Sequence, residues 1–370
     1  SQVHGGDGMA IFQHPENPGI QIVMHTEGLI RKTTDNWMTV QSLVSDSFDM
    51  ARFHSAHFID EIRPDTIYVA HGLNLVRTRT GDTHWDVVLS FFGNGYISAM
   101  RQSDQNQNRF YIAKWDSGNQ TSELHTSNNV HSMNPIFSVI GSGQLPDSLV
   151  ASDIELQPGL EHKVFVSYSG FAENAKVYYR ADQGASFVNI SAGLPNEPNK
   201  DVVFEVGSVE NGIYAATDIG IFYRNDTLGQ WIYFSKGLPN VVVSEVEYIE
   251  SQDIIRAATY GRGIWESDTY SSCPTSLLLT QANDPSNENY TGVQRYQAKN
   301  TIASTRRIVG GRGTDVRYRA GQYTELTTGF ESKQFGLLQV EIGNCATSGV
   351  QYISKPPISG MLKRGTKFSK

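Results

Sequence analysis

"YYRADQGASFVNISAGLPN", residues 178–196, is answered 44 residues later by "FYRNDTLGQWIYFSKGLPN", residues 222–240. The stretches align without a gap, Asp182 with Asp226, Phe187 with Trp231 and Pro195 with Pro239. Each holds an apolar run, an Arg-x-Asp-x-x-x-x-aromatic segment, a second run and Gly-Leu-Pro-Asn. Short runs of aromatic and β-branched residues closed by Gly, Pro, Asn or Asp read as strands joined by tight turns. A unit of strands and turns written twice at fixed spacing implies a repeat architecture.

Looser copies lie upstream. "LVRTRTGDTHWDVV" (75–88) ends its box on Trp85, and "LIRKTTDNWMTV" (29–40) on Trp37. "GQLPDS" (143–148) echoes Gly-Leu-Pro-Asn, with Leu145 standing 49 residues before Leu194. The anchors Trp37, Trp85, Phe187 and Trp231 are separated by 48, 102 and 44 residues. The middle gap has room for one degenerate unit, around "SELHTSNNVHSMNPIF" (122–137). Elsewhere "TIYVAHG", "HKVFVSYSG", "VVFEVGSV" and "DIIRAATYG" repeat the strand pattern, and hardly any stretch sustains a helical period. A period of roughly 40–50 residues with several strands per unit predicts a β-propeller. The expected fold is therefore all-β, with a propeller of five to seven blades over residues 1–270.

The segment "RADQGASF" (180–187) resembles the Asp-box, or bacterial neuraminidase repeat, Ser/Thr-x-Asp-x-Gly-x-Thr/Ser-Trp/Phe. "AATYGRGIWES" (257–267) is similar to the closing strands of propellers in secreted Bacteroidetes proteins and in relatives of sortilin and xyloglucanase. The other boxes depart from the pattern: Leu228 stands in the Gly position before Trp231, Thr80 in the Asp position before Trp85, and the Trp37 box is one residue short. The resemblance implies that Asp182 and Asp226 cap backbone N–H groups of hairpin turns on the outer rim. Gly184 would ease its turn, and Phe187, Trp231, Trp85 and Trp37 would pack into their blades. Repetition argues the same way, since catalysis does not need one acid copied in every unit. These residues are expected to be structural pegs.

After "SDTYSSCP" (267–274) the period breaks. Residues 296–345 alternate apolar and polar positions through very short runs with Gly turns. Tyr296 to Ala298, Ile302 to Ser304, Val316 to Gly321 and Leu326 to Phe330 resemble the small all-β module near the C-terminus of many Bacteroidetes surface proteins. The expected division is 1–270 propeller, 271–350 small β module and 351–370 linker-like tail. In those proteins a type IX secretion sorting domain commonly follows, so the resemblance implies the type IX machinery as a partner. The abrupt start at "SQVHGGDG" leads us to expect a longer precursor. Cys273 and Cys345 bracket the module, and in an exported protein such a pair suggests a disulfide. Closing a loop of roughly 70 residues would contribute on the order of 4 kcal/mol. Two buried thiols are the alternative.

Composition limits the function. The net charge is −8, only 18% of residues are charged, and no Lys/Arg cluster offers a footprint for nucleic acid. No apolar run approaches the ~20 residues of a membrane helix. The Asn, Gln, Ser, Thr and Gly that build the polar surface point to a secreted or cell-surface protein. A sialidase would need an arginine triad, a Tyr–Glu pair and an Arg-Ile-Pro motif, whereas residues 61–65 read Glu-Ile-Arg-Pro-Asp. Asp60 with Glu61, and Glu245 with Glu247, are acid pairs by proximity alone, and only the second pair could share one face of a strand. His54 and His57 suit zinc only on a helix with a third ligand nearby. "HGGDG" (4–8) lacks the Lys-Ser/Thr of a phosphate loop. No catalytic residue, metal site or cofactor is expected. Two functions stay open: an exported, non-catalytic propeller that binds a glycan or surface protein or acts as a scaffold, and a glycoside hydrolase of the sialidase-like or xyloglucanase-like type.

Overall fold

The computed structural model describes residues 8–14, 17–25, 29–43, 57–60, 63, 65–79, 83–182, 184, 186–208, 210–235, 237–250, 254–270, 276–280, 293–298, 300–308, 315–332 and 337–343. Six antiparallel sheets follow one another along the chain and form a six-bladed β-propeller. Blade 1 holds β1 (Gly8–Gln13), β2 (Gln21–His25), β3 (Leu29–Thr33) and β4 (Gln41–Ser42). Blade 2 holds β5 (His57–Ile59), β6 (Ile67–His71), β7 (Asn74–Thr78) and β8 (Asp86–Ser90). Blade 3 holds β9 (Gly95–Gln102), β10 (Phe110–Asp116), β11 (Thr121–Ser127) and β12 (Phe137–Ile140). Blade 4 holds β13 (Ala151–Leu156), β14 (Val164–Tyr168), β15 (Val177–Arg180) and β16 (Val188–Asn189). Blade 5 holds β17 (Asn199–Phe204), β18 (Ile213–Thr217), β19 (Gly220–Arg224) and β20 (Ile232–Tyr233). Blade 6 has three described strands, β21 (Val243–Ile249), β22 (Ile254–Thr259) and β23 (Gly263–Asp268).

Each blade is a meander, and the first strands of blades 3 to 6 lie side by side. The second strands are the most apolar, because sheets pack on both of their faces. β14 and β18 are buried at every position, the continuous apolar run expected of a strand covered on two sides. The fourth strands are short. β4, β16 and β20 have two residues each, which blunts the edge of a sheet that would otherwise offer unpaired backbone to another chain. Cores form between blades: Ile22, Met24 and Ile30 of blade 1 pack with Ile67, Val69 and Val76 of blade 2, and Phe165 and Val177 of blade 4 with Val202, Phe204 and Ile213 of blade 5.

The region after blade 6 is built on another principle. Its strands are β24 (Ser276–Leu279), β25 (Val293–Ala298), β26 (Thr301–Ser304), β27 (Arg307–Ile308), β28 (Asp315–Ala320), β29 (Tyr323–Leu326), β30 (Glu331–Ser332) and β31 (Leu337–Ile342). They form three all-parallel ladders, β24-β26-β29, β25-β28-β31 and β27-β30. The chain therefore climbs in rungs, with Val293, Asp315 and Leu337 in register 22 residues apart. Side chains at matching positions stack inside, Tyr296 on Tyr318 and Ala298 beside Ala320. Outside, Arg307 pairs with Glu331 at 2.8 Å and Arg319 with Glu341 at 3.4 Å, each across one rung. Cys273 and Cys345 lie outside the described residues.

Candidate functional site

The repeated turns all connect the third and fourth strands of their blades, on the outer rim. In blade 4 Asp182 Oδ1 accepts the N–H of Gly184 at 2.8 Å. In blade 1 Asp35 plays the fuller part. Its Oδ1 accepts from the Thr33 hydroxyl at 2.9 Å and the Thr39 N–H at 2.8 Å, and these bonds, led by the Thr39 N–H, hold its carboxyl below the usual carboxylate range. Residues 128–136 of blade 3 repeat that geometry with Asn129. The Ser127 hydroxyl donates to Asn129 Oδ1 at 3.1 Å, and the Ile136 N–H donates to the same oxygen at 2.8 Å.

Blade 5 corrects the alignment of Asp226 with the capping acid. The acceptor in that turn is Asn225, whose Oδ1 takes the Leu228 N–H at 2.8 Å and whose amide donates to Glu210 Oε2 at 2.6 Å. Asn225 is buried and Asp226 is exposed. Asp226 instead accepts from the Asn211 amide at 2.5 Å. Gly229 supplies the left-handed residue with φ 66°, one position after the aligned glycine site, while the acceptor stands one position before the aligned acid, so the cap of this turn is two residues longer.

The aromatic anchors act across seams between blades. Trp231 Nε1 donates to the Ile190 carbonyl of blade 4 at 2.6 Å, and Trp85 Nε1 to the Leu43 carbonyl after blade 1 at 2.7 Å. Phe187 is buried against Ile140 and Leu145, its N–H on Gln144 Oε1 at 2.8 Å. Trp37 departs from the expectation that all four occupy equivalent buried positions. It is half-buried, has φ 70°, and bonds Gln21 of its own blade. The reason is topological. Trp85 and Trp231 bond the chain just past the fourth strand of the preceding blade, and blade 6 shows no fourth strand among the described residues.

The sequence comparison also missed the pair Ser191 and Ser235, which is legible in the two quoted stretches. Ser191 Oγ accepts the Val177 N–H at 3.0 Å and donates to the Val177 carbonyl at 3.3 Å. Ser235 Oγ does the same to Ile221, at 2.5 and 3.1 Å. Both serines are buried. The following Gly193 and Gly237 share φ 97°, a conformation that favours glycine.

The chemistry-bearing cluster lies on the first strands. A register shift interrupts five of them, at Met9 in β1, and in blades 3 to 6 at Ser98 in β9, Ser152 in β13, Lys200 in β17 and Ser244 in β21. The residues after the shifts in blades 3 to 6 are Ala99, Asp153, Asp201 and Glu245. The extra residue turns these side chains out of the ladder and sets them at matching heights on neighbouring strands. Asp153 Oδ2 accepts the Val202 N–H of blade 5 at 3.4 Å, and Asp201 Oδ2 the Val246 N–H of blade 6 at 2.8 Å. One turn of pleat further, Glu155 Oε1 accepts the Phe204 N–H at 3.2 Å while Oε2 pairs with Arg101 Nη2 of blade 3 at 2.6 Å. Three acids thus tie together the first strands of blades 3 to 6.

The Val202 N–H that Asp153 accepts belongs to the residue after Asp201, so the two acids stand near each other at the seam of blades 4 and 5. Desolvation among the enclosing strands raises the Asp201 carboxyl well above its ordinary range, helped by the charges of Asp153 and Glu245. Desolvation raises Asp153 too, against the pull of Arg101. Both side chains are half-buried.

The remaining candidates are placed as follows. Asp60 is buried, accepts the Arg63 N–H at 2.9 Å, and meets Gln102 Nε2 and His131 Nε2 at 3.2 Å each. It joins blade 2 to blade 3, and its sequence neighbour Glu61 lies outside the described residues, as does His54. Glu245 and Glu247 both lie on β21. A Tyr–Glu contact does occur, Tyr214 OH to Glu205 Oε2 at 3.0 Å, but Tyr214 is fully buried and its oxygen also takes the Tyr270 N–H at 2.6 Å. Among the described residues no three His, Cys, Asp or Glu side chains come together as metal ligands. Among the described residues no helix is long and apolar enough to cross a membrane.

The sequence matches no family model and no curated protein. Solved structures do match. The GH74 xyloglucanase from Xanthomonas campestris is 14% identical with a TM-score of 0.52, over 71% of this chain and 44% of that one. The Niastella koreensis GH74 enzyme is 14% identical at TM-score 0.53, over 75% and 47%. The extracellular domain of a hybrid two component system from B. thetaiotaomicron is 11% identical at TM-score 0.54, over 73% and 32%. The chain thus spans less than half the length of each of these proteins. What it shares with them is the β-propeller fold.

Proposed function

We propose that this chain is a non-catalytic module of an exported surface protein, whose propeller binds a glycan or protein partner at the channel mouth or serves as a scaffold. The observation that carries this reading is the employment of the channel acids. Asp153, Asp201 and Glu155 accept backbone N–H groups of the next blade, so each carboxyl is tethered in holding the ring. An acid that must give or take a proton at a glycosidic oxygen needs that oxygen within reach. Loops of several blades converge at the channel mouth, the usual place for a propeller ligand. Exposed rings such as Phe171 and Tyr260 lie in turns between second and third strands, and rings of this kind can stack on sugars.

The carbohydrate link draws support from the neighbours described as GH74 enzymes, and the surface location from the one described as an extracellular domain. Export by the type IX route rests on the resemblance of residues 296–345 to the C-terminal module of Bacteroidetes surface proteins. The rim turns around Asp182, Gly184, Phe187, Asp226, Trp231, Trp85 and Trp37 belong in this reading to the framework, as does a Cys273–Cys345 disulfide closing the module. A panel of sialosides and β-glucans, assayed for released reducing sugar and for retention on immobilised polysaccharide, tests it. We expect no turnover. Reproducible hydrolysis lost in Asp153→Asn or Glu245→Gln would establish the glycoside hydrolase instead.

A further inference from the structure

Two arginines enter the seam between blades 3 and 4 from opposite sides. Arg109 stands two positions before Tyr111 of β10, so both side chains leave the same face of blade 3. Its Nη1 meets Thr126 Oγ1 at 3.5 Å, and Thr126 is the residue opposite Tyr111 in the ladder. Tyr111 identifies the face. It packs with Val164 and Phe187 of blade 4, and its hydroxyl donates to the Glu161 carbonyl of blade 4 at 2.8 Å. Arg180 comes from the other sheet. It stands opposite Val164 in the β14–β15 ladder, so the two side chains share the face that meets Tyr111. Its guanidinium lies over the Phe187 ring, 5.3 Å from the centroid.

Both arginines are buried, 4% and 5% exposed. Charges this deep are ordinarily paired. Among the described residues neither forms an ion pair with a carboxylate, and the Nε of each is buried without a hydrogen-bond partner. Glu161, in the same seam, is turned to His162, with Oε1 3.1 Å from Nε2. His162 Nδ1 is likewise without a partner. Burial first, and then the charges of Arg109 and Arg180, hold the His162 ring below its usual value against the pull of Glu161 and Asp182, as expected where two cations approach one ring. Glu161 and His162 are half-buried and form the solvent side of the cluster. The geometry points to an oxyanion site: Arg109 and Arg180 clamp one carboxylate, sulfate or phosphate group between blades 3 and 4, with His162 at its entrance. Guanidinium forks match the paired oxygens of such groups, and an anion here satisfies donors that the protein leaves open. The group arrives either as a free inorganic anion or as the acid of a sugar. The site does not depend on what the channel mouth binds.

Thermal denaturation of the full-length chain at constant ionic strength tests this, with chloride exchanged stepwise for sulfate, phosphate or glucuronate and with glucose as the neutral control. Sulfate and phosphate stabilise proteins generally by exclusion from their surface, so the mark of a site is a rise in melting temperature that saturates. We expect such a rise with at least one oxyanion and none with glucose. Saturation with glucuronate alone identifies a sugar carboxylate as the ligand, and saturation with sulfate or phosphate a tetrahedral anion. Arg109→Gln and Arg180→Gln should each raise the anion concentration at half-saturation roughly tenfold or more. Arg109→Lys and Arg180→Lys keep the charge but lose the fork, and serve where a glutamine variant fails to fold. The absence of saturation with all three anions in the wild-type chain, or an unchanged half-saturation point in the folded arginine variants, would overturn the site.

Discussion

Ser191 and Ser235, 44 positions apart, each place a hydroxyl where the fourth strand of a blade runs out and the third still has a backbone N–H to satisfy. A buried backbone donor left without a partner costs roughly 1–3 kcal/mol. Ser191→Ala and Ser235→Ala should each lose about that much stability in urea denaturation, with little change in the shape of the transition. The turn between β19 and β20 makes a finer distinction. Asn225→Ala removes a buried acceptor of the Leu228 N–H together with the bond to Glu210, a loss on the order of 1–2 kcal/mol. Asp226→Ala should cost less than half of that. Equal losses would return the capping role to the acid. The presence of Asn129 in place of Asp in the blade 3 turn shows why these caps tolerate either residue: both offer a side-chain oxygen three bonds from the backbone Cα.

Blades are stitched at their seams by side chains reaching backward to the preceding sheet. Trp231 fills the space between blades 4 and 5, and its indole N–H closes on Ile190. Trp231→Ala should therefore cost about 3–5 kcal/mol. Trp37→Ala, at a half-buried ring bonded within its own blade, should cost on the order of 1 kcal/mol. Denaturation of the two variants side by side checks the ranking, and a Trp37 loss as large as that of Trp231 would show that blade 1 is clamped by a neighbour. Gly193 serves the same seam. Its φ of 97° is strained for any side chain, and a Cβ there would overlap the carbonyl oxygen of Trp231. Gly193→Ala should cost at least ~2 kcal/mol, from backbone strain and from displacement of the tryptophan together.

For the molecule as a whole, two groups of acids pull the pH profile in opposite directions. Asp35 and Asp116, capped by backbone N–H groups of Thr39 and Asn119 in rim and loop turns, have lowered carboxyls. Their contribution is present above the ordinary carboxylate value and lost as pH falls through the folded one. The channel pair works the other way and loses stability as pH rises. With a net charge of −8 at pH 7 adding self-repulsion, the melting temperature should peak on the acid side of neutrality, near about pH 4–5. Scanning calorimetry from acid to alkaline buffer checks this, and a maximum above neutrality would contradict it. The period of the blades, their strand content and the identity of the seam aromatics were legible in the chain, because alternation, turn residues and repeat spacing are properties of neighbours in sequence. The one-residue shift at Asn225 was not, since it depends on which glycine takes the left-handed conformation. The parallel ladders of residues 276–342 were not either, because alternating short runs read alike whether the partner strand is the next one or lies one rung away. The acid pair was least accessible of all. Asp153 and Asp201 stand 48 residues apart in unremarkable strands, and only the closing of blade on blade sets Asp153 on the backbone beside Asp201 and withdraws water from both carboxyls.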